Sequence, residues 1–200
     1  MIPGTRVVIL SIASILLVTT LVAESDKPFQ AGPASGYAHQ SAQKVTVGAK
    51  PFDNQELTTE AFGKKTDLLK YGVLPVLVVI ENKRSIALDL RNLEVSLVAA
   101  DGRHAESVNP EDIPFLAAHA KRPTVTPYPP IPHPKKKNPL NSPEIVMRAF
   151  AAKIVPPGDS ASGFFYFEAT PESGDKLYLN GLYDVRTQEE IMYFEFPLDK

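Results

Sequence analysis

The histidines and acidic residues are the side chains of this sequence best suited to binding a metal ion. The four histidines lie in four different segments: His39, His104, His119 and His133. None has the three-residue spacing that places two histidine ligands on one face of a helix. The best arrangement is His104 with Glu106, which would share one face of a strand close to Asp101. Solvated surface residues produce the same pattern far more often, so we predict no metal site and no cofactor.

One short segment resembles part of a hydrolase active site. Residues 158–163, Gly-Asp-Ser-Ala-Ser-Gly, hold a serine between two glycines. A nucleophile elbow needs a glycine two residues to each side of the serine, and it follows a strand. Here the second glycine comes one residue late and the segment precedes a predicted strand, so a turn is the simpler interpretation. The alternative is a hydrolase triad assembled from scattered residues such as Ser160 and His104.

We predict no catalytic residues and no enzymatic activity. The chain contains no cysteine, which excludes disulfides, thiolate metal sites and cysteine nucleophiles. A charged fraction of 22%, a net charge of -2 and a pI near 6.1 argue against a nucleic-acid-binding protein, which would carry a strong basic excess.

The region from Arg122 to Pro143 has the composition of a docking segment. Its eight prolines exclude a regular helix or sheet and favour polyproline II structure. Such structure loses little entropy on binding. Tyr128 with Lys135, Lys136 and Lys137 could therefore contact an acidic polymer or another envelope or secreted protein. A solvated, extended loop without a partner is the alternative interpretation.

Residues 1–25 have the pattern of a secretory signal peptide. Arg6 precedes an apolar stretch from Val7 to Ala23, which ends in an imperfect cleavage site. This stretch is at the short limit for a membrane span, so the alternative is an uncleaved anchor. We predict an extracytoplasmic protein, periplasmic or secreted, that meets a membrane only through this segment if it is retained. Residues 26–43 are predicted to be a flexible leader.

The strongest structural signal is the apolar run from Val76 to Ile80. Its β-branched residues fit a strand, and a strand that is apolar on both faces should be covered on both. Pro75 cannot donate a ladder hydrogen bond, so it should lie at the strand start, at an edge or at a bulge. Further on, the apolar alternation slips by one residue at Arg91 and Asn92, which predicts a bulge or a corner between two strands.

Residues 44–200 are predicted to form one β-sandwich domain with one or two short helices. Strands are predicted at 44–48, 104–108, 163–168, 176–185 with a break at Asn180 and Gly181, and 192–198. Helical turns are predicted within 57–71, interrupted at Gly63, and helix starts at Asn109 and Ser142. Short strands with frequent turn signals favour an antiparallel sandwich over a parallel sheet.

Three segments of the chain resemble the telokin-like family of bacterial extracytoplasmic domains, whose function is unknown. They are VLVVIENKRSIALDL, LVAADGRHAES and IVPPGDSASGFFYFEATP, within the span from Val73 to Pro171. In that family a strand ends at Asn-Lys, a later one ends in Asp-Gly, and a Pro-Gly turn precedes Gly-Phe-aromatic-Phe. The resemblance implies a mainly β, immunoglobulin-like antiparallel β-sandwich, export and no known catalysis. This chain adds the Pro-rich insertion and lacks the lipoprotein cysteine of many members.

These observations predict an exported, non-enzymatic β-sandwich protein that binds another component of the cell envelope or extracellular space. One alternative is a periplasmic metal-binding or chaperone-like module, and the other is the hydrolase described above. The residues indicate no particular ligand.

Overall fold

The computed structural model describes residues 29–116, 138–170 and 172–198. The strands are β1 (Ala38–Ala42), β2 (Val45–Pro51), β3 (Val73–Asn82), β4 (Leu88–Asp89), β5 (Glu94–Val98), β6 (His104–Glu106), β7 (Ile154–Val155), β8 (Ser160–Glu168), β9 (Lys176–Asn180), β10 (Tyr183–Asp184) and β11 (Phe194–Pro197). The helices are α1 (Gln55–Phe62), α2 (Ile113–Leu116) and α3 (Pro143–Met147), with 3-10 turns at Ala34–Gly36 and Leu69–Tyr71. Within these ranges, none of the helices is long and apolar enough to cross a membrane.

The strands form three sheets, and neighbouring strands within each sheet are antiparallel. The first sheet has the order β1-β2-β3-β8, the second β11-β9-β5-β6, and a small sheet β10-β4-β7. The predicted fold class, a mainly β antiparallel sandwich with short helices, is confirmed.

β3 is an inner strand of the first sheet, and both of its faces are covered as predicted. Val76, Val78 and Ile80 point into the main core, which lies between the first and second sheets. Leu77 and Val79 point the other way, into a second apolar cluster. Alternating side chains of one strand therefore reach two separate cores.

Pro75 lies near the start of β3, where its missing N–H is tolerated. Its carbonyl accepts a hydrogen bond from Phe52 N at 2.8 Å, just beyond the end of β2. The N–H and C=O groups of one residue in an antiparallel strand point to the same side. The nitrogen of Pro75 therefore faces Phe52, which lies beyond the last β2–β3 pair, Pro51 and Val76. The prediction for Pro75 is confirmed.

The second cluster lies under a helical layer that covers the outer side of the first sheet. Its fully buried members include Ala61, Leu68, Ile113, Leu140 and Tyr166. The Tyr166 hydroxyl donates to the Ile145 carbonyl of α3 at 2.7 Å, and burial raises the pKa of Tyr166 above its ordinary value.

Two glycines of the first sheet allow the neighbouring chain to approach closely. A Cβ at Gly48 would lie 2.5 Å from the Ala34 carbonyl oxygen, and one at Gly163 would lie 2.4 Å from the Phe150 Cα. Any side chain at either position would displace backbone. The helical layer therefore depends on glycine at these two positions.

The predicted corner at Arg91 and Asn92 is confirmed. The chain leaves the small sheet after β4, turns with a hydrogen bond from Leu93 N to the Leu90 carbonyl, and enters the second sheet as β5. The break at Gly181 changes sheets in the same way, from β9 to β10. Gly181 has φ +80°, and a Cβ there would lie 1.9 Å from the Asn92 carbonyl oxygen, so the two corners pack directly on each other.

The prediction that residues 26–43 form a flexible leader is wrong from Phe29 onward. Residues 38–42 form the edge strand β1, and β2 is therefore the second strand of the fold. Phe29 packs on Phe52 and Phe164, with ring centroids 5.7 and 5.5 Å apart. The segment is short of apolar residues, but the β ladder and these contacts attach it to the sandwich.

The predicted Pro-rich loop, 122–143, is too long at its C-terminal end. Leu140 is fully buried in the helical layer, and the Asn138 side chain donates to the Pro114 carbonyl at 2.7 Å. Residues 138–143 thus belong to the packed domain, whereas 117–137 lie outside the described residues.

The two long sheets are joined along both sides. On one side, Val108 N donates to the Tyr166 carbonyl of β8 at 2.7 Å. On the other, the Gln40 side chain of β1 accepts a hydrogen bond from Glu195 N at 3.2 Å and donates to the Glu195 carbonyl. Gln43 donates to the Ile191 carbonyl at 2.7 Å. We call the Gln40 and Gln43 contacts the glutamine seal.

Candidate functional site

The residues predicted to dock a partner lie outside the described part of the chain. Tyr128, Lys135, Lys136 and Lys137 all fall within 117–137. Their role as a docking segment remains a prediction.

The structure keeps the two residues of the hydrolase alternative apart. Ser160 begins β8, six residues before Tyr166, which corresponds to about 20 Å of strand. Val108 pairs antiparallel with Tyr166, so His104 lies beyond Tyr166 in the direction away from Ser160. A proton transfer between them would need hydrogen-bond distance, and a triad containing this pair is therefore excluded.

The three side chains of the best candidate metal site, Asp101, His104 and Glu106, do not converge on one point either. His104 and Glu106 share the exposed face of β6, as predicted. The Asp101 carboxylate instead accepts hydrogen bonds from Arg103 N at 3.0 Å and Nε at 2.6 Å. Among residues 29–116, 138–170 and 172–198, no group of three or more His, Asp or Glu side chains is placed to hold a metal ion.

The most distinctive surface is the outer face of the second sheet, which we call the second-sheet face. β5 turns Val95 and Leu97 into the main core, so Glu94 and Ser96 point outward. The ladder places Ser96 opposite Glu106 of β6 and opposite Tyr178 of β9.

A four-residue row therefore crosses the sheet: Glu106, Ser96, Tyr178 and Glu195. A parallel row begins with Glu94 opposite Asn180, and the β9–β11 register continues it to Tyr193. Same-face neighbours across such strands have Cβ atoms about 5 Å apart. The two rows bring carboxylate, amide, hydroxyl and phenol groups together on one surface.

The rows border an open groove of about 880 Å³. Its lining includes Glu94, Glu106, Tyr178, Met192 and Tyr193. Met192 is 51% exposed and Tyr193 is 59% exposed, although methionine is among the residue types most often buried in protein interiors. The groove thus combines carboxylates with exposed apolar and aromatic side chains.

One ion pair holds the row at its β11 end. Lys176 Nζ lies 2.7 Å from Glu195 Oε1. The hydrogen bond from Lys176 lowers the pKa of Glu195, and the same bond raises the pKa of Lys176. The positive charge of Lys176 is thus already matched by a carboxylate.

The sequence analysis missed the second-sheet face, apart from His104 and Glu106. Its strands alternate polar and apolar residues as any half-solvated strand does, and the rows bring together residues that lie far apart in the sequence. The available signal was the adjacent pair Met192 and Tyr193 in the predicted strand 192–198, because neighbouring strand residues point to opposite faces. In the structure both residues precede β11 and both are exposed.

The fold and this face define an antiparallel β-sandwich that presents a polar and aromatic sheet surface. The sequence matches no protein-family model and no curated protein. Solved structures that are similar to it include the following two. The Bacillus subtilis protein YcdA, described as a lipoprotein, has 13% identity and a TM-score of 0.41, over 82% of this chain and 38% of that chain. The secreted protein MPT63 of Mycobacterium tuberculosis has 14% identity and a TM-score of 0.34, over 86% and 99%.

This chain thus spans well under half of YcdA. Both TM-scores are low, so neither similarity supports a conclusion about function.

Proposed function

We propose that this chain is an exported, non-enzymatic binding module whose partner contacts the second-sheet face. The observation that carries the proposal is the exposure of Met192 and Tyr193 beside an open groove. Tyrosine and methionine are enriched in protein interfaces, because they supply large contact areas.

Export and the absence of catalysis are parts of the same proposal. The signal-like pattern of residues 1–25 supports export. The resemblance of three sequence segments to the telokin-like family supports export and membership of that family. The separation of Ser160 from His104 supports a role without catalysis.

Capture from an envelope extract tests the proposal. Immobilised protein comprising residues 26–200 should retain one or more partners, and the double variant Met192→Ser/Tyr193→Ser should lose them. The matched control is Ile154→Ser/Val185→Ser, because these residues are 54% and 41% exposed and lie outside the groove. Thermal unfolding should show that both variants are folded.

Capture that survives in the Met192→Ser/Tyr193→Ser variant would show that another surface binds the partner. Equal loss in both double variants would mean that the interaction depends on general surface apolarity and not on this face.

A further inference from the structure

The second-sheet groove carries an excess of negative charge at the end formed by β5 and β6. Glu94 of β5 and Glu106 of β6 line this end, Glu190 lines the groove near the end of β9, and the groove lining contains no lysine or arginine. Glu190 accepts a hydrogen bond from Gly181 N at 2.8 Å. Glu94 and Glu106 are exposed, and neither forms an ion pair with a cation of the described chain.

The sheet register holds these two free carboxylates at a spacing that one cation can bridge. Glu106 is opposite Ser96, and Glu94 is two residues from Ser96 on the same face. Diagonal neighbours of this kind have Cβ atoms about 7–8 Å apart, so both side chains can reach a single ammonium or guanidinium group placed between them. Binding such a group would also relieve the repulsion between the two carboxylates.

An aromatic ring lies next to this carboxylate pair. Tyr178 is opposite Ser96 on β9 and is half-buried, whereas Tyr193 is more exposed. Tyrosine faces attract cations, and the aliphatic stem of a lysine or arginine packs well on such rings. The groove thus offers charge for the head of a basic side chain and apolar surface for its stem.

We infer that the second-sheet groove binds an extended, Lys- or Arg-containing segment of a partner protein, with one basic side chain between Glu94 and Glu106 and its stem against Tyr178. This inference rests on the proposed function and names the chemistry of the partner. A peptide fits better than a free amine, because the groove crosses β6, β5 and β9 and reaches the segment before β11, a distance of about 14 Å, and is lined along that length by hydroxyl, amide and phenol groups.

Fluorescence anisotropy with short labelled peptides tests the inference. One probe alternates Lys with Ser, and the second carries Glu in place of each Lys. The measurement is made at low ionic strength, because salt screens exposed charges over about 10 Å at ~0.1 M. The wild-type protein should bind the Lys probe and not the Glu probe. The variant Glu94→Gln/Glu106→Gln should bind it about three- to tenfold more weakly, since two exposed charge pairs are lost.

The matched control is Glu56→Gln/Glu60→Gln. These glutamates are exposed one turn apart on α1, so the variant has the same net charge and a similar carboxylate spacing elsewhere. It should bind the Lys probe as the wild type does. An equal loss in both variants would show only non-specific attraction and would overturn the inference, as would equal binding of the Lys and Glu probes.

Spermine is a third probe. If it displaces the Lys peptide at equal or lower concentration, the groove prefers small polyamines and the peptide assignment is wrong. The capture experiment tests the proposed function separately from the peptide measurements. Capture that depends on Met192 and Tyr193 but not on Glu94 and Glu106 would support the binding face and overturn the basic partner.

Discussion

Asn82 connects three parts of the sandwich through one fully buried amide. Its Nδ2 lies 2.9, 3.0 and 3.1 Å from the carbonyl oxygens of Ile86, Val155 and Pro156, so its two hydrogens reach three acceptors, one of them shared. Its Oδ1 accepts from Arg84 N at 3.0 Å. The side chain thus joins the end of β3 to the following turn and to β7.

Replacing Asn82 by a residue of similar size should therefore be costly. We expect Asn82→Leu to lower the free energy of unfolding by about 2–4 kcal/mol, because buried carbonyl groups lose their donor. Urea unfolding measures the change. Asn92→Leu is the control, since Asn92 is exposed, and it should change stability little. A similar, small effect of both variants would contradict this role for Asn82.

The ionisation of Asp89 should make the free energy of unfolding depend on pH in the acid range. It accepts hydrogen bonds from Arg91 Nε at 2.9 Å and from Arg91 N at 3.0 Å, and the side-chain bond lowers the pKa of Asp89 to about 2. A carboxyl group with a depressed pKa in the folded state stabilises that state above its unfolded pKa of about 4, and this contribution is lost as pH falls toward the folded value.

We therefore expect Asp89→Asn to be less stable than the wild type at neutral pH. The difference should shrink as pH falls from about 4 to about 2, because the wild-type carboxylate becomes protonated in that range. Urea unfolding across these pH values measures it. Asp112→Asn, in the turn before α2, controls for the loss of one negative charge. A difference that stays constant with pH would refute the assignment.

At the scale of elements, the β1–β2 hairpin has an unusual turn. Ala42 pairs with Val45, so Gln43 and Lys44 form a two-residue loop, and their φ values are +48° and +63°. Both are left-handed, as a type I′ turn requires, but such turns favour Asn and Gly. The hairpin thus carries backbone strain that the ladder and the glutamine seal compensate.

Lys44→Gly should relieve this strain. We expect the free energy of unfolding to rise by about 0.5–1 kcal/mol. Glycine removes the cost of the left-handed backbone, and part of this gain is offset because glycine gives the unfolded chain more conformational entropy. The shift of the urea midpoint measures it. Lys70→Gly, in the 3-10 turn Leu69–Tyr71, should destabilise instead. Destabilisation by Lys44→Gly would contradict the strain.

The elements that could be predicted are those with strong local signals. The run Val76–Ile80 is apolar on both faces, and the break at Gly63 and the corner at Arg91 follow from local sequence. β1 could not be predicted, because Ala-His-Gln-Ser-Ala lacks an apolar face and Gln-Lys is not a hairpin signal. The second-sheet face could not be predicted either, since it depends on register between β5, β6 and β9, which are distant in sequence.

At the scale of the molecule, the corrected boundary of the Pro-rich loop changes the effect of deleting it. Removing residues 124–137 should leave the unfolding temperature nearly unchanged, because the proline content of this segment predicts a solvated, extended loop. Removing 124–141 should destabilise by about 2–5 kcal/mol, since Leu140 is fully buried.

Leu140→Ala in the complete chain is the control and should reproduce most of the larger effect. Thermal unfolding distinguishes the variants. The shorter deletion also tests the predicted docking role of Tyr128 and Lys135–Lys137, because weaker capture by a folded deletion variant would support it. Unfolding of the 124–137 deletion would show that this segment is structural.

The glutamine seal has a consequence for the order of folding. Gln40 and Glu195 are 155 positions apart in the chain, so their contact closes one of the longest loops in the domain, and the entropy of that closure favours its formation after the more local hairpins. A contact absent from the transition state affects mainly the unfolding rate. Gln40→Ala should therefore speed unfolding about tenfold and leave the refolding rate unchanged in stopped-flow experiments. The lifetime of the native state would then depend on one glutamine side chain of β1, the strand with the weakest sequence signal.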